Sequence, residues 1–521
     1  MLGVLLALAP LVVTMIAIIV FKMKTHWAGL LGTALTWIIA LVYSGMDPYL
    51  LPFAWIFGIL VPITYFFVDI VTWLMTYHMM YHGCFEDIQE ALKRMQGGTV
   101  YKIFFLCFGL GVMMLSSGAG FTWLAVVLSD MGISPWAMSI LLEGSADPFT
   151  QYAYYATPVT VPILLFGREF GFTINDLMPM FNRFFWITTP SFALGMLWVL
   201  KQDGQKVTRK AVLGAVLYGL ALAAIVNVLN LTVDIKAVGI LAGAAGMGIL
   251  FLGQRSGLFG PHSSSQAKTP PPMKREQKSR LYRAVAPLVL VSVISSLWGV
   301  FGAPIENALG SIMIPVVADQ FVPLSVVQPC IWPAITVLVM FTFLRPSRES
   351  WRYVGKLFKE RFVIRQIATW AFAGMVFTYQ WSGKVIIGGK LVLPQGREQY
   401  NLLTVLAEAA VGAGLHPYVC MIPFMAMFAT TLLGHELTST TFFTPFHFIA
   451  ARIMGFGRPT AFMAGHIVSN IGITDIRKLV KNVALVGAYG EEYKALRRTF
   501  VIGLIINALT IIPLVSFLIW P

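Results

Sequence analysis

Two long apolar segments of this 521-residue chain are broken by polar, glycine-bearing stretches, one in each half. In the first half Ser116-Ser117-Gly118-Ala119-Gly120-Phe121-Thr122 interrupts an apolar run. Met131-Gly132-Ile133-Ser134-Pro135 follows, and then Ser145-Ala146-Asp147-Pro148-Phe149-Thr150-Gln151-Tyr152. In the second half Gly434-His435-Glu436-Leu437-Thr438-Ser439-Thr440 interrupts another run. Met454-Gly455-Phe456-Gly457-Arg458-Pro459 and His466-Ile467-Val468-Ser469-Asn470 come after it. In hydrocarbon an unsatisfied peptide group costs several kcal/mol, so helices break only beside a cavity or inside protein. Two such breaks predict a polar site enclosed where the halves meet.

Composition supplies the setting. The chain is 57% hydrophobic and 12% charged, too little charge to solvate the domains a soluble chain of this length would form. Apolar stretches of about 18 residues or more, enough to span a hydrocarbon core of roughly 30 Å, recur from end to end. The run 2–21 has neither a basic leader nor a small-residue cleavage site, so it reads as a first membrane helix. The four cysteines are scattered, with no metal or disulfide spacing.

The net charge of +14 reports topology rather than nucleic-acid binding. Lys and Arg gather at Lys22/Lys24, Lys93–Lys102, Lys201–Lys210, Arg255–Arg283, Arg345–Arg365 and Lys494–Arg498, whereas Gly45–Leu51 and Ala303–Ser325 carry none. That alternation is the positive-inside pattern. It predicts both termini outside.

Full spans are expected at 2–21, 28–44, 53–75, 182–200, 211–232, 235–252, 284–302, 326–344, 367–389 and 499–520, with broken regions at 103–166 and 401–475. The polar, Pro- and Ser-rich stretch 253–283 reads as a basic cytoplasmic linker between halves 1–252 and 284–521. Ala284-Val285-Ala286-Pro287-Leu288-Val289 echoes Ala7-Leu8-Ala9-Pro10-Leu11-Val12 with opposite polarity. The turn at Met131–Pro135, beside Asp130 and far from cations, is expected outside. The turn at Met454–Pro459, with Arg452 and Arg458, is expected inside. The fold expected is therefore an all-α polytopic membrane protein of about 12–14 segments. In it two inverted-topology repeats bring broken or re-entrant helices together near the midplane, as in secondary transporters.

The breaks carry the candidate chemistry. Ser116, Ser117 and Thr122 flank Gly118 and Gly120, where hydroxyls and unwound backbone can bind a carboxylate; a small-residue helix contact is the plainer use of such residues. Asp147, with Thr150, Gln151 and Thr157 after it, lines the pathway or caps a helix start; Glu143 is a lesser candidate. Glu436 and His435, with Thr438, Ser439 and Thr440 behind them, read as a proton-coupling pair; a capping box or a structural hydrogen bond is the plainer use of them. Ser469, Asn470 and Thr474 can hold an anion at a half-helix end. Asp475 either joins proton coupling or pairs with Arg477 or Lys478. His447 and His466 read as satisfied core groups, and His78 and His82 as a solvated helix face rather than a metal pair. No nucleophile elbow or metal motif points to an enzyme, and no cofactor or metal is called for. A membrane-embedded enzyme or a structural subunit on a permease fold is the competing class. The sequence leaves a homo-oligomer open.

At these residues the chain resembles the bacterial lactate permease family over most of its length. Ser117-Gly118-Ala119-Gly120-Phe121 is similar to that family's Gly-Ala-Ala-Gly-Phe, Met131–Pro135 with Ala137 to its Leu-Gly-Phe-x-Pro turn, and Pro148…Thr157-Pro158 to its Pro-Val-Ala-Phe-Gly-Ala-Val-Gly-Thr-Pro element. Gly434–Thr440 stands where it has Gly-Ser-Asp-Thr-Ser-Ser-Asn, and Leu485-Val486-Gly487…Thr499 is similar to its tail. The resemblance implies proton symport of a small organic anion, a 2-hydroxymonocarboxylate such as lactate or glycolate, across a bacterial inner membrane. Ser116 replaces the family's acid, Thr122-Trp123 its Thr-Pro, and Ser469–Asp475 lacks the lysine of its Gly-Lys-Met-Ile-Ser-Pro-Gln element. A cation for the carboxylate is thus missing at that place.

Overall fold

A computed structural model describes residues 1–61, 63–116, 123–152, 159–259, 273–301, 303–325, 332–433, 436–470, 472–488 and 490–520. The first half holds α1 (Leu2–Ile19), α2 (Thr25–Val42), α3 (Leu50–Leu60), α4 (Ile63–Tyr81) and α5 (Cys84–Arg94). A rod follows in which α6 (Thr99–Phe104) and α7 (Val112–Ser116) are joined through π-helical Phe105–Gly111. Then come α8 (Leu124–Asp130), α9 (Pro135–Ala146), a 3-10 turn at Asp147–Tyr152, α10 (Thr160–Phe170), α11 (Ile174–Gln202), α12 (Arg209–Thr232) and α13 (Ile235–Arg255). The second half holds α14 (Arg275–Phe301), α15 (Ala303–Leu309), the hairpin β1 (Ser311–Val317) and β2 (Gln320–Ser325), α16 (Trp332–Leu344), α17 (Arg348–Leu357) and α18 (Val363–Trp381). A short hairpin, β3 (Val385–Ile387) with β4 (Lys390–Val392), leads to α19 (Leu402–Val411), α20 (Leu415–Leu433), α21 (Glu436–Ile453) and α22 (Pro459–Ser469). A 3-10 turn at Gly472–Thr474, α23 (Ile476–Leu485) and α24 (Glu491–Ile519) complete it.

Among the described residues six helices are long and apolar enough to cross a membrane: Thr99–Ser116, Ile174–Gln202, Arg209–Thr232, Ile235–Arg255, Leu415–Leu433 and Tyr493–Ile519. The chain is a helical, multi-pass membrane protein. Apolar helices gain little from each other in hydrocarbon, so contact depends on close approach and on hydrogen bonds. Gly29 of α2 lies against Ala371 and Phe372 of α18, and Gly58 of α3 against the Ala373 backbone. Thr33 Oγ1 donates to the Ala371 carbonyl at 2.5 Å, and Trp55 Nε1 to that of Trp370 at 2.6 Å. Gly219 of α12 seats on Pro190 of α11, and Gly243 of α13 on the Met113 backbone.

One local design occurs twice. After α8, Gly132 turns left-handed (φ +83°) and Ile133 N–H bonds back to the Leu128 carbonyl; Pro135 then opens α9. After α21, Gly455 does the same (φ +67°), Phe456 N–H bonds to Ala451, and Pro459 opens α22. A glycine just past one helix and a proline at the first position of the next set the chain reversing at once. The second helix of each pair is short, 12 residues for α9 and 11 for α22, or roughly 16–18 Å at 1.5 Å per residue. Helix α9 runs straight into the 3-10 turn at Asp147–Tyr152, and α22 is followed, after Asn470, by the one at Gly472–Thr474.

The 29-residue α11 serves as a ruler between the two faces. Ser134 hydrogen-bonds Asp203 just past the α11 C-terminus, through its backbone N–H at 3.3 Å and its hydroxyl. Trp136 lies under Arg498, 3.7 Å from its ring centre. The Met131–Pro135 turn therefore shares a face with the Lys201–Lys210 and Lys494–Arg498 clusters, contrary to the sequence expectation. The turn borrows its cations from neighbouring loops, which its own short sequence does not reveal. At the other end of α11, Phe448 stacks on Phe170 and Phe172, both at 4.8 Å, so the Met454–Pro459 turn lies on the opposite face despite Arg452 and Arg458.

Other expectations are corrected too. The span drawn at 53–75 is divided between α3 and α4. That at 367–389 ends at Trp381, because Lys384 and Gly388-Gly389 open a hairpin, with Ile387 pairing to Lys390. The linker 253–283 is helical from Arg275, where Arg280 meets Asp87 at 3.4 Å. His78 is not solvated: it is buried against Trp351 at 4.5 Å.

Candidate functional site

The two short helices end against each other. Asp147, first residue of the turn after α9, accepts the N–H of Ile473, in the turn after α22, at 2.9 Å. Gly144 makes room there, since a Cβ would stand 3.3 Å from the Ile473 side chain. One turn earlier in α9, Glu143 is completely buried and accepts from Asn482 Nδ2 at 2.7 Å. Asn482 and Lys478 are four apart on α23, so they share a face. The Lys478 ammonium reaches between two acids, 2.7 Å from Glu436 Oε1 and 3.6 Å from Glu143 Oε2. Its side chain is 13% exposed, against 4% for Glu436 and 0% for Glu143. Three carboxylates from three elements thus surround one lysine.

Around this cluster the helix ends are tied off. Asn470, past the end of α22, donates to the Glu436 carbonyl at 2.7 Å and to Thr440 Oγ1 at 3.0 Å, and accepts from Thr430. Ser469 meets Thr510 at 3.1 Å, and the Thr474 carbonyl accepts from Thr431 at 3.2 Å. Asp475 caps α23, its Oδ1 taking the Lys478 N–H at 3.2 Å. Desolvating this many charges and peptide groups is tolerable only because each is held by others.

The predicted residues divide accordingly. Asp147, Glu436, Asn470, Thr440 and Asp475 come together, with Thr474 beside them. Helix α21 is regular from Glu436, so Thr438, Ser439 and Thr440 are not part of an unwound stretch; Thr438 is half-buried. Ser116 lies apart, packed on Gly239 of α13, the small-residue contact weighed for that motif. Gln151 bonds within its own turn, to the Pro148 carbonyl at 2.6 Å. Ser117, Gly118, Gly120, Thr122, Thr157 and His435 lie outside the described residues, as does the side chain of Thr150.

Sequence reasoning missed Lys478 as a site residue and gave Glu143 little weight. It treated the basic stretch after Asp475 as cytoplasmic, and so found no cation for an anionic ligand. The usable signal was Lys478 and Asn482 at i, i+4 with Leu479, Val483 and Ala484 between and beside them, an amphipathic helix too short to be a loop. His447 and His466 are buried as expected, and are hydrogen-bonded to each other at 3.0 Å.

Compared with known proteins, the chain matches no family model and no curated protein.

Proposed function

We propose that the chain is a secondary carrier that moves a small organic anion together with protons across a bacterial inner membrane. A 2-hydroxymonocarboxylate such as lactate or glycolate is the substrate class that the resemblance to lactate permeases suggests. The observation that carries this reading is Lys478, an ammonium enclosed between Glu436 and Glu143. An anionic substrate must compete with Glu436 for that ammonium. Protonating Glu436 removes the competitor's charge, so anion and proton load together, and release of the proton restores the ion pair and expels the anion. With Asp147 also present, carboxylates outnumber the ammonium. An anion is therefore repelled from the site unless protons have been taken up first.

The same reading takes 1–252 and 284–521 as inverted repeats. In support, the paired reversals lie at opposite ends of α11, and α9 and α22 meet end to end. Pro10 and Pro287 both lie inside their helices. Half-helices meeting midway suit rocking of one repeat against the other.

The test uses the full chain in liposomes under an inward proton gradient, with labelled L-lactate as probe and an internal pH dye. Wild-type protein accumulates lactate with acidification inside. Glu436→Gln is expressed normally but loses proton-coupled uptake; normal coupling in that variant refutes the role given to Glu436.

A further inference from the structure

Four buried side chains outside the carboxylate cluster form an unbroken hydrogen-bonded row. Ser439 Oγ meets His466 Nε2 at 3.0 Å; His466 Nδ1 meets His447 Nε2 at 3.0 Å; and His447 Nδ1 meets Tyr418 Oη at 2.7 Å. None is more than 1% exposed. The three links cross three helices: α21 supplies Ser439 and His447, α22 His466, and α20 Tyr418. The rings are held by packing, with Phe443 stacked 4.7 Å from His466 and Phe462 5.2 Å from Tyr418. Among the described residues no ion pair involves either imidazole.

The proton count of this row is what gives it a use. A neutral imidazole has one N–H and one bare nitrogen. With both rings neutral, each of the three links holds one hydrogen, and all can point one way. Either Tyr418 donates to His447, which donates to His466, which donates to Ser439, or every bond is reversed. A proton accepted at one end and another released at the far end converts one arrangement into the other, and no ring keeps a charge. One end, Ser439, is a single turn of α21 beyond Glu436, and side chains three apart share a helix face. The other end, Tyr418, lies in the first turn of α20, beside exposed Gly412–Gly414, His416 and Pro417. Phe456 of the Met454–Pro459 turn stacks 4.6 Å from Phe462, which packs on Tyr418.

We propose that Tyr418, His447, His466 and Ser439 form a proton relay between the face that carries the Met454–Pro459 turn and the Glu436 site. The assignment rests on the proton-coupled reading above. Glu436 exchanges its proton through this row rather than through an open water path, so access for protons and for the anion is separable.

Two measurements on the full-length protein test it. In liposomes, Tyr418→Phe and Ser439→Ala lower net proton-driven L-lactate uptake at least tenfold. Exchange of labelled for unlabelled lactate, which needs no net proton transfer, stays within twofold of wild type. In detergent, with histidine labelled with nitrogen-15, exchange of the His466 ring N–H into D2O slows at least tenfold in Tyr418→Phe, two links away. Full net uptake in both variants, or His466 ring exchange within twofold of wild type, overturns the relay. If wild-type protein neither takes up nor exchanges lactate, the carrier reading falls, while ring exchange still decides the relay.

Discussion

Lys478 is the residue on which the site balances. Removing one partner of a buried ion pair leaves the other charge stranded, at a cost of about 3–5 kcal/mol. Lys478→Met is therefore expected to lower thermal stability by that order, because Glu436 and Glu143 then face each other without their ammonium. Adding Glu436→Gln to Lys478→Met recovers most of the loss, a coupling that a double-mutant cycle of unfolding in detergent reads directly. Asp147 acts differently, since it holds a backbone N–H, that of Ile473. Asp147→Ala orphans the Ile473 amide and costs about 1.5–3 kcal/mol, the range for a hydrogen bond to a charged group.

Elements in this protein are positioned by close approach and by caps more than by apolar area. Helix α13 gives a clean comparison. A Cβ on Gly243 would sit 2.5 Å from the Met113 nitrogen, whereas nothing lies within 4 Å of one on Gly248. Gly243→Ala is expected to destabilise by about 1–3 kcal/mol through overpacking, and Gly248→Ala to stabilise by up to about 1 kcal/mol through helix propensity. Midpoints of thermal unfolding should move in opposite directions. Asp319 ties the two hairpins together, taking the Leu391 N–H at 2.9 Å and the Gln320 amide at 3.0 Å. Burial opposes its ionisation, yet these donors and Lys390 hold its carboxyl below the usual range. A depressed carboxylate contributes stability above its unfolded value and loses it as pH falls through the folded one. Protease cleavage within 385–392 should rise at that acidic step, and Asp319→Asn should remove the step.

At the scale of the whole molecule the two reversals sit at opposite ends of α11. With native cysteines replaced by serine, Met131→Cys should react with a membrane-impermeant maleimide from the side that labels Lys206→Cys. Gly457→Cys should react from the other. Labelling of Met131→Cys and Gly457→Cys from one side would contradict the arrangement.

Much of this was legible in the residues themselves. Apolar length and charge scarcity specify membrane helices, because a span of fixed thickness needs a fixed number of apolar residues. The Met-Gly and Pro pairs at 131–135 and 454–459 announce both reversals, since glycine and proline act through their own backbone geometry. Glu436, Asp147 and Asn470 stood out as polar groups in apolar surroundings. What stayed hidden depends on distant partners. Lys478 looks cytoplasmic until α23 folds back beside α9, the 131–135 turn looks outer until Asp203 and Arg498 reach it, and His447 and His466 look solitary until α21 and α22 pair. Local chemistry is encoded within a few residues and can be read there; which charges and rings meet is a long-range pairing that exists only once the helices have packed.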